Sequence, residues 1–312
     1  MAKVLISEKV NPIGTEILQA AGHKVVQMPS IEVSDLEQYI QDAEALFVRI
    51  LPVTRKMMES APNLKIISKH GVGVDNIDLE AAKDLGITVT TAPGANSLSV
   101  AEHAFSLMMS LAKNIVPVSK AYREIGFAAK NYREGVEVSS KTIGIIGCGK
   151  IGSKMAMMCR NGFGMKVLIY DPYITDVPDG CQLVSDRNRV LEEADFVSLH
   201  CYLSEETHHS IGSKEFSLMK DTAILINCAR GPVVDEAELI RALQEGEIAG
   251  AGLDVTQEEP LNPENLLFTM ENVIVTPHYA PATKEASSRV AEIAAKNIVN
   301  FFAGEMVVGK IV

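Results

Sequence analysis

Tryptophan is absent and cysteine is sparse. The five cysteines, Cys148, Cys159, Cys181, Cys201 and Cys228, are scattered and odd in number. Neither a disulfide framework nor a zinc site is expected, no other metal is indicated, and a reducing, cytoplasmic setting fits best. Basic residues are in deficit: 29 Lys and Arg stand against 40 Asp and Glu, a net charge of −11. A surface this acidic argues against nucleic acid and anionic membrane as partners, because both select a basic face. It still allows a local basic pocket for a small anion. No apolar run approaches the roughly 20 residues of a membrane span. The chain opens on a strand-like run, Lys3–Ser7, without the cationic start and apolar stretch of a secretory leader. Low-complexity segments and internal repeats are also missing.

What is present is a 312-residue chain, 47% hydrophobic, enough for about two domains. Strand-like runs (Lys3–Ser7, Lys24–Met28, Ala45–Arg49, Lys65–Ser68, Ile87–Thr90) alternate with helix-like ones (Pro12–Ala21, Asp35–Gln41, Thr54–Ser60, Asp78–Leu85). That alternation predicts a parallel sheet with helices on both faces. A long helical stretch follows from about Ser97 past Ala112, then a less regular segment, Tyr122 to Val138. Further strands are expected at Phe196–His200, Ala223–Cys228, Ala249–Val255 and Val273–Thr276, with helices at Asp235–Glu245 and Thr283–Phe302.

The most informative stretch lies between the halves. An apolar run, Thr142–Ile146, breaks into Gly147-Cys-Gly149-Lys-Ile-Gly152; a helix-like run follows, then a second apolar run ending on Asp171. Gly147 permits a tight turn, Gly149 lets backbone approach a pyrophosphate, and Gly152 allows close helix packing. The helix start supplies N–H groups for the phosphates. Asp171 lies nineteen residues beyond Gly152, near the spacing for a carboxylate that accepts from the ribose. Its charge repels a 2′-phosphate and no Arg follows it, so NAD is expected rather than NADP. The chain therefore reads as α/β, with two doubly wound parallel-sheet (Rossmann-like) domains. Residues 1–97 with 286–312 form a substrate-binding domain and residues 98–285 an NAD-binding one, with the active site expected in the cleft between them.

Three later segments, each at an expected strand end, carry an Arg, a Glu and a His: Ile226-Asn-Cys-Ala-Arg-Gly231, Gly252-Leu-Asp-Val-Thr-Gln-Glu-Glu-Pro260 and Val275-Thr-Pro-His-Tyr-Ala280. Hydride exchange on a 2-hydroxy acid uses these types. An Arg fork grips a carboxylate, a His moves the hydroxyl proton, and a carboxylate orients the His. Taken singly, each could be an ordinary strand-end or surface residue, and Glu258 competes with Glu259.

In these segments, and in Lys69-His-Gly-Val-Gly-Val-Asp-Asn-Ile-Asp78, Pro93-Gly-Ala-Asn-Ser-Leu-Ser-Val-Ala-Glu102 and Thr283-Lys-Glu-Ala286, the chain resembles the D-isomer-specific 2-hydroxyacid dehydrogenase family. Within it, the phosphoglycerate-oxidising branch is the most similar. The resemblance implies catalysis by Arg230, Glu259 and His278. It implies cofactor contacts from Val72, Gly147, Gly149, Lys150, Ile151, Gly152, Asp171, Cys201, Cys228, Ala229, Asp254, His278 and Ala280. Substrate contacts fall on Arg49, Lys69, His70, Gly71 and Arg230, the Lys69–Gly73 loop offering its backbone N–H groups. Arg49, Lys69 and Lys130 match positions for a phosphate, although Lys provides only a point charge where that branch has Arg. Asp75 and Asn76 are expected to shape a turn, and histidines other than His70 and His278 to be structural. A homodimer through the nucleotide domains is implied, and serine feedback through a further domain is not expected. Tyr202, Pro281 and Ala128 depart from the family pattern without removing a catalytic group. Hydroxypyruvate or glyoxylate is the rival substrate class, and an NAD-sensing corepressor-like role the rival function.

Overall fold

Short runs of Val, Ile and Leu bounded by polar turns suit strands buried on both faces, and both sheets of the computed structural model, which describes all 312 residues, are built from them. The chain divides into two units, Met1–Asn96 with Ala282–Val312, and Ser97–Pro281. The second boundary falls four residues before the expected 285/286 division. Ala280 is still buried in the second unit's core, and the following helix packs in the first.

The first unit runs β1 (Lys3–Ile6), α1 (Pro12–Ala20), β2 (Lys24–Gln27), α2 (Val33–Tyr39), β3 (Ala45–Val48), α3 (Arg55–Glu59), β4 (Ile66–Lys69), α4 (Leu79–Asp84) and β5 (Thr88–Thr90). Its sheet is parallel throughout, in the order β2-β1-β3-β4-β5. Strand alternation sorts the core. Val4 and Ile6 meet Leu18 of α1 and the closing helix, Lys284–Ala303, through Ala291 and Ile298. Leu5 faces Leu36, Met57 and Ala81 of α2, α3 and α4. The closing helix starts where Thr283 accepts from the Ala286 N–H and stops at left-handed Gly304. The chain then returns along β5: Thr91 N–H donates to the Gly309 carbonyl and Ile311 N–H to that of Val89.

The second unit begins with α5 (Ser97–Ala112) and α6 (Ile115–Ile125). The expected single long helix breaks because Asn114 adopts a left-handed backbone, φ 50°, which Asn tolerates, and its amide donates to the Glu134 carbonyl. Helix therefore extends to Ile125, into the segment expected to be irregular. There follow β6 (Thr142–Ile146), α7 (Gly152–Met157), β7 (Lys166–Tyr170), β8 (Gln182–Leu183), α8 (Arg187–Glu193), β9 (Phe196–Leu199), α9 (Ser213–Leu218), β10 (Ile224–Asn227), α10 (Glu236–Glu245), β11 (Gly250–Leu253) and β12 (Val273–Val275). The seven strands are parallel, in the order β12-β11-β10-β9-β6-β7-β8. The order reverses at β6/β9, the switch point at which such sheets bind ligands. Ile143 and Ile145 pack under α5 and α7, whereas Ile146 and Leu168 pack under α8, α9 and α10. No helix is long and apolar enough to cross a membrane.

Gly144, in the centre of β6, is where α8 lies closest: a Cβ there would stand 2.3 Å from Val190 Cγ1. Gly144→Ala is expected to destabilise this unit by about 1–3 kcal/mol through overpacking. Adding Val190→Ala should recover part of that loss, as measured by denaturant unfolding. Additive losses in the double variant would show that the contact does not limit this position.

Candidate active site

Parallel pairing brings every strand end of the second unit to one edge of its sheet. The glycine turn after β6 lies at the switch point. Gly147 has φ 90°, and a Cβ on it would stand 2.7 Å from Cys201 N and His200 C at the end of β9. A Cβ on Gly152 would stand 2.1 Å from the Gly147 carbonyl oxygen. Gly149 differs, since nothing lies within 4 Å of its Cβ position. That open position suits a pyrophosphate, with Lys150 and Ile151 beside it. Helix α7 continues beyond Met157 in a wider π-type turn to Gly162. At the end of β7, Asp171 accepts from Cys148 N–H at 2.8 Å and Tyr173 N–H at 3.0 Å. Its carboxylate is thus fixed beside the turn it would serve, and these residues fit a dinucleotide.

Cys201, Cys228 with Ala229, Asp254, and His278 with Ala280 follow β9, β10, β11 and β12 at the same edge. Burial raises the Cys148 thiol to about 11 and pushes the Cys201 and Cys228 thiols up as well. These thiols are neutral near pH 7 and not thiolate nucleophiles.

The Arg, Glu and His come together here. His278 Nδ1 lies 2.8 Å from Glu259 Oε2, with side chains 47% and 41% exposed, and Nε2 makes no bond within the chain. Thr256 N–H reaches the other Glu259 oxygen at 3.4 Å. Glu258 offers only its carbonyl, to the Thr256 hydroxyl, so Glu259 is the partner. That carboxylate raises the His278 pKa, against burial and the Arg230 charge, which lower it. Arg230 follows β10 in a turn closed by Asn227, whose amide donates to the Arg230 carbonyl at 3.0 Å. The next residue must be glycine: a Cβ on Gly231 would stand 1.8 Å from the Thr256 carbonyl oxygen. That approach sets the Arg230 loop against the segment bearing Glu259. An imidazole held through Nδ1, with Nε2 open and a guanidinium nearby, can exchange a proton with an anionic substrate.

The remaining expected residues, Arg49, Lys69, His70, Gly71 and Val72, belong to the first unit, and three of them take roles the sequence did not indicate. Lys69 is buried, and its ammonium donates to the Arg49 carbonyl and to Asn76 Oδ1. It braces the loop and is not a surface cation awaiting phosphate. His70 lies tilted against Phe47, and burial and the Arg49 charge lower its pKa to about 4. It is therefore neutral near pH 7. The N–H groups of His70 and Gly71 already donate to the carbonyls of Val48 and Lys69, whereas those of Val72 and Gly73 have no acceptor within the chain. Asn76 also ties the loop, donating to the Leu51 carbonyl at 2.6 Å. Glu8 went unnoticed in the sequence because a lone acid after a strand carries no motif. Buried at 4% exposure, it accepts from three successive N–H groups, Arg49, Ile50 and Leu51, at 2.6–2.8 Å. Arg49 itself is exposed on this braced loop. Lys130 is exposed over the Phe127 ring, 5.2 Å from its centroid.

Residues 105–280 match the model of the NAD binding domain of D-isomer specific 2-hydroxyacid dehydrogenases. The chain belongs to this family. It is 41% identical to the D-3-phosphoglycerate dehydrogenase of Methanocaldococcus jannaschii over 98% of its own length and 58% of that protein's. It is 42% identical to the glyoxylate reductase of Thermococcus litoralis over 87% of its length and 84% of that protein's. The TT0316 protein of Thermus thermophilus superposes with a TM-score of 0.89 at 31% identity, covering 99% of this chain and all of that one. The chain thus spans little more than half the length of the phosphoglycerate dehydrogenases it matches. A carboxylate at the end of β7 repels the 2′-phosphate that distinguishes NADP from NAD. Asp171→Ala is expected to erode a preference for NAD by about tenfold in kcat/KM, or ~1.4 kcal/mol. Steady-state rates with the two cofactors measure it, and an unchanged ratio would assign the discrimination elsewhere.

Proposed function

We propose that this chain is an NAD-dependent D-2-hydroxyacid dehydrogenase whose substrate is 3-phosphoglycerate, oxidised reversibly to 3-phosphohydroxypyruvate. The observation that carries the reading is the 2.8 Å Glu259–His278 pair at the sheet edge that also bears the dinucleotide turn. NAD, when bound, supplies the hydride acceptor. Arg230 grips the substrate carboxylate and polarises its carbonyl. In oxidation, neutral His278 takes the hydroxyl proton on Nε2; in reduction, the imidazolium returns it. Glu259 orients the ring and stabilises its charged form. For the substrate's anionic groups the first unit offers the Arg49 guanidinium and the N–H groups of Val72 and Gly73. The second reading is a glyoxylate or hydroxypyruvate reductase. It is favoured by the Lys69 ammonium being engaged by its own loop and by the similarity to a glyoxylate reductase. A cytoplasmic location accords with the five free thiols.

A panel decides between these readings: NADH oxidation with 3-phosphohydroxypyruvate, hydroxypyruvate, glyoxylate and pyruvate. A charge contact worth about 1.5–3 kcal/mol predicts a preference of at least about tenfold for the phosphorylated acid, shrinking with salt. Higher kcat/KM for glyoxylate selects the second reading, and no turnover selects a binding role. His278→Ala should lose about 10²–10⁴-fold in kcat while still binding NADH. The sign of the pH effect follows from the raised His278 pKa. Reduction needs the imidazolium and falls as pH rises through that pKa. Glu259→Gln removes the main raising contact, so the fall should move to lower pH.

The partner we assign is a second copy, docked on the face of α6 and the segment after it. Ile115, Val116, Tyr122, Ile125 and Phe127 are all exposed there, a density of apolar side chains that lone surface residues do not reach. Light scattering should give twice the chain mass, and Ile125→Asp with Phe127→Asp should give the monomer. A wild-type monomer at micromolar concentration would remove this assignment.

A further inference from the structure

We propose that His103, on α5, is a positioning residue of the proton-transfer site: its Nε2–H holds the Thr276 hydroxyl, which donates to Asp254, and this chain fixes the turn that presents His278. The inference rests on the reading of His278 as the proton carrier.

His278 has φ 52°, a left-handed backbone that a non-glycine residue adopts at a cost of roughly 1–2 kcal/mol. Such a conformation persists only where its surroundings over-determine it. Asp254 does most of this. Its side chain is 1% exposed, and it accepts from the Thr276 hydroxyl at 2.6 Å, Tyr279 N–H at 2.7 Å and Ala280 N–H at 2.9 Å. Its backbone carbonyl accepts from His278 N–H at 2.8 Å. Every contact closes the turn 276–280 onto the end of β11.

His103 completes this set from a separate element. Its Nε2 lies 3.0 Å from Thr276 Oγ1 and 3.4 Å from Asp254 Oδ1. The Thr276 proton is directed at Asp254, so Thr276 Oγ1 is the acceptor for His103. The ring therefore carries its hydrogen on Nε2. The ring also meets Tyr279 edge-on, with centroids 6.3 Å apart. One side chain thus contacts the residues two before and one after His278. Burial alone would raise Asp254; His103, Thr276 and the two N–H groups hold it below the usual carboxylate range. The charges facing His278 are Glu259 and Asp254, which raise its pKa, and Arg230, which lowers it.

Two substitutions separate positioning from packing. His103→Phe keeps a ring against Tyr279 and removes the donor; His103→Gln returns an N–H donor at a comparable reach. His103→Phe should lower kcat by about ten- to a hundredfold, the range for a catalytic group displaced by up to ~1 Å. NADH affinity, followed by fluorescence, should be unchanged. The pKa of His278, read from its imidazole proton resonance and assigned with His278→Ala, should fall toward the ordinary imidazole value. His103→Gln should restore most of both. A His278 titration unmoved in His103→Phe overturns the proposal whether or not the chain turns over the acids tested. So does a Gln variant as impaired as the Phe one. Absence of turnover in the wild-type chain would defeat the dehydrogenase reading alone, and the titration would still decide the role of His103.

Discussion

Parallel pairing is the constraint on which the rest of this protein depends. A parallel strand cannot return through a tight hairpin, so each connection crosses back over the sheet, in most cases by a helix, and each strand ends at the same edge. In the seven-stranded sheet that edge collects the glycine turn, Asp171, Cys201, Cys228, Arg230, Asp254, Glu259 and His278, drawn from a span of 132 residues between Gly147 and His278. The reversal of strand order at β6/β9 leaves the turn uncovered by a crossover helix. Three steric limits then fix its detail: Gly147 against β9, Gly152 against Gly147, and Gly231 against Thr256.

Burying charge at these edges requires donors, and each unit supplies them differently. Asp254 lies almost wholly buried and is satisfied by one hydroxyl and two backbone N–H groups. Glu8 is satisfied by three successive N–H groups of the Arg49 loop. An unpaired carboxylate in either place would carry a large desolvation penalty. Satisfied, each carboxylate pins a loop: Asp254 the turn that carries His278, and Glu8 the turn that carries Arg49. Rigidity at these positions is therefore a by-product of charge satisfaction, and the exposed groups, His278 Nε2 and the Arg49 guanidinium, stand on braced backbone.

The same requirement separates the basic residues. Lys69 and Arg49 lie on adjacent strand ends, yet one is consumed as a brace and the other stays available. An ammonium on a flexible stem can fold back onto its own loop and give its three donors to carbonyl and amide oxygens. A planar guanidinium offers a fork that suits an incoming carboxylate or phosphate.

The alternation of elements, the parallel class, the dinucleotide turn and the order of the Arg, Glu and His segments are legible in the amino-acid sequence. All of these rest on local signals: apolar period, glycine spacing, caps such as Thr283 and Asp235, and motif order. It also carried the family resemblance. Tertiary structure decided what depends on contacts across long separations. Glu259 and not its neighbour Glu258 meets His278, because the direction of a side chain in a loop is set by the turn and not by the residue type. Lys69 became an internal brace and His70 packed against Phe47 once β3 and β4 were paired. The helix broke at Asn114 because an amide found the Glu134 carbonyl twenty residues away. Glu8 and His103 were illegible for the same reason: each acts through partners more than forty residues distant, and no local pattern encodes a hydrogen bond that only folding creates.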